Sequence, residues 1–394
     1  MTLLPKIGNK EETSAMASVN PMLEITDAIL EVGGETLKIC MQCGTCTGVC
    51  PWNLVDEFSP RLLIRLASLG IEGYEQDTLW NCVTCGTCVS RCPRGIDLID
   101  VIRSTRSVML ESGIVPPLYR VPLSSLRNDG NPWSAARSER ADWAASLQIP
   151  EFSDQAEYLF FACCTHVYDA RNKSVLKKIA ELLLKGGVSM GIIGTEESCC
   201  GDQAHKCGAF ETYTALSEAN TIIFSERGVK KIITTSPHCF NLFTKQYEGE
   251  YDVMHYTQLF AKLVREQALT PKKEVPLKVA YQDPCYLGRH NGIYDEPREV
   301  LRSIPALEFI ELPRNREKSL CCGGGGGGIW SEIEVEKRFS VLRIHEAMEA
   351  GANVIATACP FCMIMLEDGL KASGVGEEDM KILDVGELLY ESVE

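Results

Sequence analysis

A spacing repeated along the second half of the chain limits its fold more than any other feature. Cys164, Cys199, Cys200 and Cys239 recur as Cys285, Cys321, Cys322 and Cys362, displaced by 121, 122, 122 and 123 residues. The elements between them recur too. In each half a short apolar strand leads into the first cysteine (from Tyr158 and from Leu277), and a helix follows (175–184; 297–303). A second strand then runs toward a Cys-Cys-Gly (188–193; 307–312). Another helix (211–226; 334–349) leads to a third strand (231–235; 353–357) that ends at the last cysteines. Strands alternating with helices argue for parallel βαβ units. Such sheets collect ligands outside the carboxyl ends of their strands, so each half can gather its cysteines in one crevice.

The N-terminal part carries a second pattern. Cys40-x2-Cys43-x2-Cys46-x3-Cys50-Pro51 is followed by Cys82-x2-Cys85-x2-Cys88-x3-Cys92-Pro93. This is the pattern of two-cluster ferredoxins, in which three thiolates in a tight loop hold one [4Fe–4S] cubane and the fourth reaches the other. Carried over, one cubane takes Cys40, Cys43, Cys46 and Cys92, and the other takes Cys82, Cys85, Cys88 and Cys50. Gly44 and Gly86 let the backbone turn close to the clusters. Structural zinc is the alternative, but zinc prefers two separated pairs of ligands per site.

Around these runs, 21–31 reads as an amphipathic helix and 97–112 as another. Ser59-Pro60 to Gly70 reads as a helix with a serine cap, proline at its first position and glycine at its end. Residues 1–20 read as a flexible start. Residues 113–155 are rich in Pro, Ser and Trp without a clean period, and read as a connector. The expected fold class is α/β: a helical ferredoxin-like domain (1–112), the connector (113–155), and two pseudo-symmetric parallel βαβ Cys-Cys-Gly halves (156–270 and 271–394).

Composition narrows the function. Nineteen clustered cysteines in 394 residues fit metal ligands in a reducing cytoplasm better than disulfides. A net charge of −15 disfavours nucleic acid. No apolar run is long enough to span a bilayer, and the N-terminus lacks the apolar core of a signal peptide. The expected location is cytoplasmic, peripheral to a membrane only through a partner.

The second half is complete: Cys285, Cys321, Cys322-Gly323, then Cys359-Pro-Phe-Cys362. Five thiolates exceed what a cubane uses, and a vicinal pair strains a four-ligand shell, which suggests an opened or distorted cluster. This pattern resembles the Cys-Cys-Gly domain of heterodisulfide reductases, also found in subunits of glycolate, lactate and glycerol-3-phosphate dehydrogenases. The fusion to a two-cubane module resembles the single-chain catalytic subunit of heterodisulfide reductase. The resemblance implies that Cys285, Cys321, Cys322, Cys359 and Cys362 form a catalytic site holding a non-cubane [4Fe–4S] cluster, with two such clusters acting together on a disulfide. It also implies an anaerobic oxidoreductase subunit within a complex. Its partner would be a flavin- or iron–sulfur-containing subunit, with a membrane cytochrome as a further candidate. The rival reading is an electron relay within a flavin-linked dehydrogenase or an electron-bifurcating assembly.

The first half departs from the pattern. Ser236 stands where the fifth cysteine belongs, and a hydroxyl is a poorer iron ligand than a thiolate. Cys164, Cys199, Cys200 and Cys239 leave three readings open: a four-thiolate cluster, a smaller or labile one, or none, so the non-cubane count is one or two. Cys163 and Cys207 could substitute, but free buried cysteine is the expectation for both. Gly323–Gly328 satisfies G-x-G-x-x-G trivially and lacks the Lys-Ser/Thr of a phosphate loop. It reads instead as backbone brought close to a cluster, with room for a substrate. His166, His238 and His290 are candidates for proton transfer, each weighed against a structural role. Asp283-Pro284 reads as a turn former.

Overall fold

The computed structural model describes residues 21–73, 77–376 and 378–393. The flexible start expected at residues 1–20 lies outside them. Eight short strands form two four-stranded parallel sheets. β1 (Tyr158–Phe161), β2 (Met190–Gly191), β3 (Lys231–Thr234) and β4 (Asp252–His255) lie in the order β2-β1-β3-β4. β5 (Lys278–Tyr281), β6 (Glu308–Ile310), β7 (Val354–Thr357) and β8 (Lys381–Asp384) repeat that order as β6-β5-β7-β8. All strand pairs are parallel. The interior strands β1 and β7 are buried along their whole length, as continuous apolar runs in covered parallel sheets should be.

Each sheet has one strand more than expected. β4 and β8 close the edges, and β4 shows why they carry little signal: Asp252 is exposed while Val253 and Met254 are only half-buried. Conversely the second strand of the first half shrinks to two residues. Gly191 lies so close to Phe152 that an added Cβ would sit 2.7 Å from its Cα. Helices Ala170–Lys185, Phe210–Glu226, Asp295–Arg302 and Phe339–Glu349 occupy the expected places, the last after a short 3-10 turn at Val335–Lys337. One apolar core runs through both halves, from Phe160, Val175 and Phe260 to Val279, Val354 and Leu388.

The N-terminal module is helical. Helix Pro60–Leu69 has the expected ends: Ser59 Oγ accepts from Leu62 N, and Gly70 adopts the left-handed conformation. Helix Leu98–Glu111 begins where Asp97 Oδ1 accepts from the backbone N–H of Ile99 and Asp100. The segment expected to be an irregular connector contains helix Pro117–Asp129 and a 3-10 stretch at Arg137–Ala144. Pro122 inside that helix blurs its period.

Candidate iron–sulfur sites

The two N-terminal runs fold alike. In each, the residue after the first pair of spacers has positive φ (Gln42, 58°; Thr84, 51°), and so has the glycine that starts a short helix (Gly44, 84°; Gly86, 79°). The backbone thus curls around a hollow, and the proline turn carries each fourth cysteine across to the other run. Cys40, Cys43, Cys46 and Cys92 line one cavity, and Cys50, Cys82, Cys85 and Cys88 line a second. None of the nineteen cysteines is in a disulfide. Among the described residues no group of three or more His, Cys, Asp or Glu is gathered around a single ion position. The thiols surround a space instead, and this donor set suits a cluster better than one tetrahedral ion. Burial pushes the Cys50 thiol well up, with Cys85 and Cys82 adding to it. These thiols therefore need compensating positive charge before they can all ionise.

The complete set of the second half gathers at the carboxyl ends of its strands. Cys285 follows β5, Cys359 and Cys362 follow β7, and Cys321-Cys322 arrive from the β6 side. Cys362 Sγ lies 3.3 Å from Cys322 Sγ, and Cys321 contacts both Cys285 and Cys322. Gly323 N–H donates to Cys321 Sγ at 3.4 Å. Cys321 also contacts Cys85 of the N-terminal module, so the second cavity and the second-half set adjoin through a sulfur–sulfur contact.

The six glycines explain that closeness. A Cβ on Gly325 would meet Val83 O at 2.4 Å, one on Gly326 would meet Cys82 O at 2.4 Å, and one on Gly327 would meet Tyr119 at 2.1 Å. Their main task is to let the Cys82–Cys88 loop dock backbone against backbone. Room for a ligand lies beside them: a cavity of about 300 Å³ opens onto Cys322, walled by Trp52, Phe339 and Met365, with Lys337 and Arg338 contributing charge.

Two arginines that the sequence did not single out fix this arrangement. Arg106 is fully buried, and its guanidinium donates to five carbonyls. These are Leu79 O, Trp80 O and Cys82 O in the N-terminal module, Lys206 O in the first half and Gly326 O in the second, at 2.9–3.1 Å. Arg289 donates to Cys85 O at 2.8 Å, to Ser319 O at 2.5 Å and to Glu317 O at 3.0 Å. Only the charge of such residues is visible in a sequence, because their partners are backbone carbonyls.

The first-half cysteines Cys164, Cys199, Cys200 and Cys239 are buried together, with Cys164 Sγ 3.5 Å from Cys199 Sγ. The histidines separate by environment. His290 stacks on Tyr286 at 4.0 Å, and its Nε2 lies 3.1 Å from Thr84 O; burial, with Lys206 adding, holds it down at about 3. That is a structural role. His166 is buried against Cys163. His238 lies between the halves: its Nδ1 faces Lys206 Nζ at 2.6 Å, its ring meets Tyr286 and Phe361, and it contacts Cys359. Lys206 is also paired with Asp202 at 2.6 Å and sits 3.3 Å above the Tyr286 ring. This buried Asp202–Lys206–His238 group went unread, and the four-residue spacing of Asp202 and Lys206 was its one signal. Asp283 is held by Arg298 through two bonds of 2.7 and 2.8 Å and accepts from Arg316 N, as a turn former would.

This architecture has known relatives. Residues 36–96 match the 4Fe-4S dicluster domain family, and residues 158–244 and 279–367 each match the cysteine-rich domain family. The chain belongs to the iron–sulfur proteins that join a dicluster domain to tandem cysteine-rich domains. Within them it is an iron–sulfur electron-transfer protein related to EtfAB:quinone oxidoreductase and to one of the subunits of heterodisulfide reductase. It is 37% identical over 400 residues to EtfAB:quinone oxidoreductase from Syntrophomonas wolfei, covering 97% of this chain and 50% of that protein. It is 36% identical over 305 residues to the probable iron–sulfur-binding oxidoreductase FadF of Bacillus subtilis, covering 74% of this chain and 43% of that one. The third relative is a subunit of the dihydromethanophenazine:CoB–CoM heterodisulfide reductase of Methanosarcina barkeri, 27% identical over 312 residues, covering 76% of this chain and 74% of that one. The chain thus spans about half the length of the first two. Among the described residues no helix is long and apolar enough to cross a membrane.

Proposed function

We propose that this chain conducts electrons from a flavin- or iron–sulfur-containing partner, through two N-terminal clusters, to a reactive site in its second half. The observation that carries this reading is the contact of Cys85 with Cys321, which puts two cysteine sets edge to edge. Cys40, Cys43, Cys46 and Cys92 would hold one [4Fe–4S] cubane, and Cys50, Cys82, Cys85 and Cys88 another. Cys285, Cys321, Cys322, Cys359 and Cys362 would hold a non-cubane cluster. When bound, such groups accept and release single electrons. The chain's own residues do the rest. Arg106 and Arg289 fix the separation of the sets and bring positive charge to buried thiolates. The glycine run keeps side chains out of the gap. Trp52, Phe339 and Met365 shield the approach to Cys322 from bulk water.

The cavity beside Cys322 supports an acceptor bound there, and the heterodisulfide reductase likeness makes a disulfide the first candidate. The second reading, a relay without its own substrate in a flavin-linked dehydrogenase or electron-bifurcating complex, is favoured by the higher identity to EtfAB:quinone oxidoreductase. Release of thiol from a disulfide, driven by reduced dye under anaerobic conditions, separates the two. Cys322→Ser should remove the paramagnetic signal of the second-half site while both N-terminal clusters still reduce normally. Retention of that signal would sink the assignment.

A further inference from the structure

We propose that Cys163 is the fifth thiolate of an iron–sulfur site in the first half, standing in for the cysteine that Ser236 replaces; this rests on the reading that the cysteine sets hold clusters.

The argument begins with strand register. β1 pairs with β3 as Leu159 with Ile232, Phe160 with Ile233 and Phe161 with Thr234. Two rows further on, the same register sets Cys163 beside Ser236. Cys163 N–H donates to Thr235 Oγ1 at 3.0 Å, so the strand ends stay together there. In the second half β5 pairs with β7 as Val279 with Val354, Ala280 with Ile355 and Tyr281 with Ala356. Three rows on, Pro284 falls beside Cys359. Cys163 and Pro284 each precede the first cysteine of their half. The two halves therefore present the same row with one thiol each, on the first strand in one half and on the neighbouring strand in the other. The thiol has changed strands without leaving its place.

Ser236 has another task. It caps helix Pro237–Lys245, its Oγ accepting from His238 N at 3.3 Å. Cys359, at the same position before helix Pro360–Ser373, makes no such cap bond, and its sulfur contacts Cys362 and His238. A hydroxyl engaged in a cap and intrinsically poor as an iron ligand is doubly unsuited to bind a cluster.

The surroundings of Cys163 are those of a ligand. Its thiol contacts Cys164 and Cys239, Cys164 lies against Cys199, and Cys200 contacts both Cys199 and Cys239. All five are buried. His166 reaches the Cys163 sulfur as well, and together these contacts hold that thiol well below its ordinary range despite burial. The other spare cysteine provides the contrast. Cys207 sits in the core of the N-terminal module near Arg106, and burial pushes it up to about 11, as expected of an inert thiol. With Cys163 counted, both halves offer five thiolates including a vicinal pair, and the serine no longer marks the first half as damaged.

The test uses the full chain purified anaerobically, with iron, acid-labile sulfide and paramagnetic spectra as readouts. Cys163→Ser should lose roughly four irons per chain and the first-half signal, leaving the other clusters untouched. The double variant C163S/S236C should regain both, because the thiol returns to the same row; a merely structural cysteine would not be rescued this way. Unaltered iron, sulfide and spectra in C163S overturn the proposal, as does a double variant that stays depleted. If C163S does not fold, the double variant alone decides. The pair C199S/C200S separates the underlying reading: if it keeps the wild-type iron content, the first half holds no cluster and both ideas fall. If it is depleted while C163S is not, only the role of Cys163 falls.

Discussion

Single buried side chains do much of the joining in this molecule. Arg106 is the clearest case, since a charge with five carbonyl partners from three modules cannot be lost without leaving those carbonyls unpaired. Asp384, at the end of β8, shows the opposite problem. Its carboxylate accepts from Gly386 N at 2.7 Å and from the Tyr256 hydroxyl at 2.8 Å, and His166 adds a favourable influence. Burial nevertheless raises it to about 7, with Glu387 contributing in the same direction. An unfolded aspartate titrates near 4, so between roughly pH 4 and 7 the unfolded chain has released this proton while the folded chain keeps it. Its contribution to stability therefore falls as pH rises through that window and levels off above it. Asp384→Asn should gain on the wild type by on the order of 2 kcal/mol between pH 5 and 8. Anaerobic melting of both proteins at the two pH values checks this, and a gap that does not change with pH would contradict it.

Among the elements, the glycine run is the one whose meaning changed most. Gly325 has no positive φ, so a methyl group there acts through contact alone, against Val83 O at 2.4 Å. Gly325→Ala should destabilise the docked state by about 1–3 kcal/mol. It should also slow reduction of the second-half site while leaving total iron unchanged; rapid-mixing spectroscopy reads both, and an unchanged rate would show that docking does not govern transfer. Sequence alone caught the local half of this story. Cys40–Cys50 and Cys82–Cys92 carry their ligand spacing within eleven residues, so their crossed grouping could be anticipated. The repeat of Cys164–Cys239 in Cys285–Cys362 likewise revealed the paired α/β halves. What was missed depends on distant backbone. Val83 O lies more than 240 positions from Gly325, and no side-chain pattern encodes such a meeting. Strands β4 and β8 were missed because four-residue edge strands carry too little alternation, and helix Pro117–Asp129 because Pro122 interrupts its stripe.

At the scale of the whole molecule the cysteine sets differ in exposure. Cys43 is exposed, Cys85 is buried, and Cys321, Cys322, Cys359 and Cys362 are buried deeper in the fold. Electrons therefore have their natural entry beside Cys43, where Met41 and Ile39 are 57% and 43% exposed. An uncovered apolar pair next to a redox site suits a transient protein partner. Met41→Asp should reduce partner-driven electron entry about tenfold, equivalent to about 1.4 kcal/mol. A small reductant should remain as fast as before, and equal loss with both donors would mean that the substitution harms the cluster and not the docking. The three-way grip of Arg106 has a mechanical corollary. A redox arm that commutes between donor and acceptor needs a hinge that lets go, and this one is bolted on two sides. Any turnover by this chain should then be insensitive to solvent viscosity, because nothing within it has to swing.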